Sequence, residues 1–126
     1  FADYGVNMVS SGIVVQKELL TENPDLVRRF MAATTQAVEA AEKAPAEATA
    51  ATLAALPKAG KPETLQEGFE RTIPLYRTEE TQGQRPFRVT DANMAETVKL
   101  LVEYGGVAAD QATDPKAFYT NDFLPK

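Results

Sequence analysis

Histidine, cysteine and tryptophan are all missing from this 126-residue sequence. Without imidazole or thiol, the usual general base, the common soft and borderline metal ligands and the Ser–His and Cys–His nucleophile pairs are unavailable. Disulfides and zinc thiolates go with them, and the redox compartment stays open. The only serines are Ser10 and Ser11. Ser11–Gly12 lacks the strand–elbow–helix setting of a hydrolase nucleophile, and no imidazole could activate it. The expectation is a protein that is not an enzyme, needs no cofactor and binds no transition metal tightly. A basic stripe is also missing. The formal charge is −5 and the sequence pI about 4.8, so no nucleic-acid partner is expected, because phosphate binding is driven by counterion release onto clustered Lys and Arg. No apolar run approaches the roughly 18–20 residues that cross a bilayer. The first residue is Phe1, with no signal-like segment before it. A piece of something longer is expected.

What is present suits a soluble globular chain, with 44% hydrophobic and 25% charged residues. Gly12-Ile13-Val14-Val15 reads as a short buried strand, with Tyr4 to Val9 as a second extended segment. Two short strands make no stable sheet alone, so they imply an edge that pairs with other chain. After a polar stretch, Asn23-Pro24 offers an N-cap and a first-turn proline. Leu26, Val27, Phe30, Met31, Thr34, Val38 and Ala41 then recur at helical intervals up to Pro45. Helices are expected near 24–43, 46–56, 62–76 and 91–104. The second is nearly all Ala, Thr and Leu and should be marginal. Pro74 should kink or end the third. Thr90-Asp91 opens the fourth and Gly105-Gly106 ends it. Thr78 to Arg88 reads as a polar loop, and Asp114-Pro115 begins one more turn. The chain as it stands is mainly α.

The order of these features resembles a known family. Asp3-Tyr4-Gly5 is followed by Gly12 to Val15, then Glu22-Asn23-Pro24-Asp25-Leu26-Val27 opening a helix with Phe30 and Ala33. Later come Tyr104-Gly105-Gly106-Val107 and Phe118-Tyr119-Thr120-Asn121-Asp122-Phe123-Leu124. Together these resemble the nitrate/sulfonate/taurine and thiamine-precursor group of periplasmic solute-binding proteins serving ABC importers. The resemblance implies the carboxy-terminal segment of an α/β two-lobed, periplasmic-binding-protein-like (type II) fold. On that reading residues 1–15 are a strand and hinge crossover, and residues 16–126 are the helical part of a lobe. The implied partners are a small polar solute and an ABC permease, and the implied location is periplasmic.

In that setting Asp3, Tyr4 and Asn7 line the solute cleft, with Tyr4 stacking on or hydrogen-bonding the ligand. The alternative is ordinary turn and strand chemistry. Arg77, Arg85 and Arg88 suggest an anion clamp, against the plainer reading of a solvated loop. The helix faces carrying Glu39, Glu42, Glu47, Glu67, Glu70 and Glu96 read as ordinary charged faces. Phe118, Tyr119 and Phe123 suggest an aromatic box for a cation, or anchors for the tail. Open strand edges at Tyr4–Val15, and open faces with Phe30, Met31, Phe69 and Ile73, predict self-association. A reading from another class is a self-contained α-helical protein-interaction domain without a small-molecule ligand.

Overall fold

Proline sets the start of three of the helices. The computed structural model describes Val6, Met8, Val9 and residues 11–126. Among them the α-helices are α1 (Lys17–Glu22), α2 (Pro24–Lys43), α3 (Pro45–Ala55), α4 (Pro62–Thr72) and α5 (Asp91–Tyr104). Pro24, Pro45 and Pro62 each stand at the first helical position, where a missing amide hydrogen costs nothing. Asn23 adds its side-chain oxygen as acceptor for the Leu26 amide at 3.2 Å. Thr90 does the same for the Asn93 amide at 3.1 Å, opening α5. No strand forms among the described residues.

The expected helices at 24–43, 46–56 and 91–104 are present to within one residue. The third is shorter than expected: α4 stops at Thr72, and Ile73–Leu75 continues as a 3-10 turn. Pro74 explains the stop, since it has no N–H to donate and its ring crowds the carbonyl one turn back. The strand expected at Gly12–Val15 is not formed. That stretch is irregular and Val14 stands 96% exposed, because β-branched residues adopt a ladder only when another strand supplies its hydrogen bonds. The polar stretch after it instead forms α1.

Helix α3 packs against both α2 and α4. Its threonines are absorbed locally: Thr49 and Thr52 hydroxyls donate to the carbonyls of Pro45 and Ala48 at 2.9 and 2.8 Å. Alanine-rich helices bring their axes close but bury little area per residue, so the core is small. Its apolar members are Val27, Met31 and Ala41 on α2 and Met94 and Val98 on α5. Met31 is therefore not part of an open face, and Phe69 and Ile73 are half-buried. Thr35, one turn beyond Met31, is fully enclosed, and its hydroxyl has no hydrogen-bond partner among the described residues.

Helix α5 ends as the glycines foretell. The Gly105 and Val107 amides both reach back to the Leu101 carbonyl, at 2.9 and 3.2 Å. Gly106 takes φ of 77°, a conformation side chains resist. Beyond it the chain folds back, and a 3-10 turn at Pro115–Phe118 packs on α5.

Candidate ligand site and the ties around it

Asp3, Tyr4 and Asn7, the residues expected to touch solute, lie outside the described residues. What the structure does show is where their neighbour is held. The Val9 amide donates to the Thr97 hydroxyl at 2.8 Å. Thr97 is buried in the middle of α5, and its own proton goes to the Asn93 carbonyl at 2.7 Å. A threonine hydroxyl can accept one bond while donating another, so this one couples the amino-terminal segment to the helix ladder. Sequence periodicity gives no sign of it, since the partners are 88 residues apart.

Arg77, just before the Thr78–Arg88 stretch, and Arg85, within it, act differently from either expectation. Arg77 makes a two-pronged ion pair with Glu42, and its Nε donates to the Gln84 carbonyl at 2.6 Å. Arg85 pairs both ways with Glu39, at 2.7 and 2.9 Å, and its remaining nitrogen donates to the Lys126 carbonyl at 2.9 Å. These guanidiniums are committed to α2 carboxylates and are not an open anion clamp. Nor is the loop merely solvated, because Arg77 and Glu42 side chains are only 21% and 18% exposed. The parallel fork geometry of guanidinium on carboxylate makes such pairs specific as well as attractive. The hydrogen bond that Arg85 donates holds the Glu39 carboxyl below its ordinary value, and the bonds that Arg77 donates to Glu42 raise its own guanidinium further. Glu39 and Glu42, one turn apart on α2, thus clip the loop in place. Just beyond the second clip Pro86 is buried and Phe87 sits at φ of 75°. That conformation costs a side-chain-bearing residue about 1–2 kcal/mol.

The aromatic cluster at the tail resolves into anchors. Tyr119 donates to the Asp91 carboxylate, which also pairs with Lys116 at 2.9 Å. The Tyr119 bond, then Lys116, keeps the Asp91 carboxyl below its ordinary value. Asn121 grips the backbone of Val89 from both sides: its amide nitrogen donates to the carbonyl at 2.8 Å, and its oxygen accepts from the N–H at 3.3 Å. Phe123 lies under the Arg28 guanidinium, 5.2 Å from ring centre. The cation over this aromatic is the protein's own, and Phe118 remains about half exposed.

A shallow groove of about 540 Å³ runs between α5 and the returning tail, floored by Val98, Val102 and Ala112 with Lys99 and Glu103 beside it. Among the described residues no group of three or more carboxylates is placed to hold a metal ion. None of their helices is long and apolar enough to cross a membrane.

The NMT1/THI5-like family model matches residues 1–48, from the amino-terminal segment through α2 into α3. Riboflavin-binding protein RibY from Chloroflexus aurantiacus is 26% identical over 121 residues, covering 94% of this chain and 34% of that protein. The chain therefore spans about a third of the length of this curated relative. No solved structure matches. The two similarities support a substrate-binding protein family.

Proposed function

We propose that this chain is the carboxy-terminal segment of an extracytoplasmic solute-binding protein that serves an ABC importer and works by closing two lobes around a small polar solute. The observation that carries the reading is the family match over residues 1–48, which includes all three expected contacts, Asp3, Tyr4 and Asn7. The bond from Val9 to Thr97 supports it. It fixes the stretch just after those residues to a buried point on a rigid helix, and sites held by rigid elements keep their geometry. Binding needs no catalysis, only higher affinity for solute in the closed form. The solute classes suggested by the resemblance are sulfonates, nitrate, taurine and thiamine precursors, and the RibY similarity adds a flavin.

A cleft needs two walls, so one segment alone should bind weakly. Amide NMR detects such binding. Titrating the ¹⁵N-labelled chain with riboflavin, taurine, nitrate and an aminopyrimidine to millimolar concentration should shift residues 3–9 and the Asn93–Thr97 turn for one solute class. Tyr4→Ala should abolish those shifts without altering the rest of the spectrum. Shifts absent for every class, or spread over the surface and insensitive to Tyr4, would overturn the proposal.

A further inference from the structure

Helix α2 carries two apolar stripes, and only one of them is used by the core. Val27, Met31 and Ala41 are buried. About 100° round the helix from them, Leu26 and Phe30 are 43% and 55% exposed, and Ala33, Ala37 and Ala40 are exposed as well. These five recur at intervals of four, three, four and three, the spacing of a coiled-coil seam. Ala44, four residues further on, caps the helix and extends the row.

The row is graded by size. Its large members lie in the amino-terminal half and its alanines in the other. In an antiparallel pair of such helices, residues whose numbers sum to 70 meet in one layer. Phe30 then faces Ala40 of the other copy, Leu26 faces Ala44, and Ala33 faces Ala37. Each large side chain meets a small one, as interdigitating layers require. A parallel pair would set Phe30 on Phe30 at one end and leave alanine gaps at the other. A surface that complements its own reversed copy is what a two-fold dimer needs.

We infer that the Leu26–Ala44 face of α2 is a self-association surface, and that its occupant is the same face of a second copy running antiparallel. The flank of the seam tunes it. Arg29, Gln36 and Lys43 are exposed along one edge, and the antiparallel arrangement brings Arg29 of each copy beside Lys43 of the other. These two like-charge contacts oppose pairing. A single seam about 30 Å long also falls short of the roughly 1,200 Å² of a standard interface. The dimer is therefore weak, with a dissociation constant on the order of 100 µM.

The charges supply the test. Sedimentation velocity on the whole chain, across the concentration range around that value, should show a monomer–dimer equilibrium that added salt strengthens, as it screens Arg29 from Lys43. Arg29→Glu turns both repulsive contacts into attractive ones and should tighten the dimer about tenfold. Ala37→Glu places a charge at the centre of the seam and should leave a monomer with unchanged helical content, since the position is exposed. A strictly monomeric parent overturns the inference. So does association that survives Ala37→Glu, which would put the contact elsewhere, for instance in the amino-terminal segment. An Arg29→Glu variant that does not tighten rules out the antiparallel register.

Discussion

Replacing Glu42 by glutamine removes one charge from the clip that holds the Thr78–Arg88 stretch on α2, while keeping its size. Two hydrogen bonds from Arg77 end on that carboxylate, and both side chains are about four-fifths buried. Charge-assisted bonds contribute about 1.5–3 kcal/mol each, and breaking a fully buried pair costs about 3–5 kcal/mol. The amide oxygen of glutamine can still accept one bond, and the residual exposure lets water reach Arg77. Together these place the cost near 2 kcal/mol. For a chain of this size that lowers Tm by roughly 6–10 °C. The chain has its own control. Glu67 and Arg71 make the same kind of pair on α4 at 2.6 Å, but with side chains 60% and 79% exposed. Glu67→Gln should change stability by less than about 0.5 kcal/mol. Urea and thermal unfolding followed by circular dichroism measure both variants. Equal effects of the two substitutions, or a Glu42→Gln cost below about 0.5 kcal/mol, would refute the claim that this pair holds the loop.

Thr35→Val removes the buried hydroxyl that has no partner among the described residues and keeps the side-chain shape, so it should leave stability unchanged or raise it by up to about 1 kcal/mol in urea melts. Acid should weaken the tail. The Asp91 and Glu39 carboxyls are both held below their ordinary values of 3.8 and 4.5, by Tyr119 and Arg85 respectively. A depressed carboxyl gives its stability above the unfolded value and loses it as pH falls through the folded one. Unfolding scans should therefore show stability dropping below about pH 4, with a shallower drop in Asp91→Asn.

The helices were legible because their punctuation is local. Asn23-Pro24, Pro45, Pro62, Thr90 and Gly105-Gly106 each act within a turn of where they stand, and each marks a real boundary. Helix α1 was not, since Lys17–Glu22 has no apolar period and no capping side-chain bond to announce it. The Gly12–Val15 strand is absent here for the opposite reason: its residues favour a ladder, but a ladder belongs to two strands. The arginine clips join residues 35 and 46 apart. Charge pattern along a chain carries no information about such pairings, so Glu39 and Glu42 read as solvated when they are half-buried. The tail aromatics read as anchors from their spacing, but the part played by Asn121 does not show in the sequence. Asn121 works by gripping the backbone of Val89, a partner that no side-chain pattern marks. The expected solute contacts Asp3, Tyr4 and Asn7 lie outside the described residues, and their proposal rests on the family resemblance.

The cation–π contact between Arg28 and Phe123 has a consequence for the order of events during synthesis. About 100 residues separate the two, and translation adds roughly 5–20 residues per second. Helix α2, which ends at Lys43, is therefore complete about 4–16 s before Phe123 has been added. A helix forms within microseconds, so for that whole interval the Arg28 guanidinium stands without the ring it will cover.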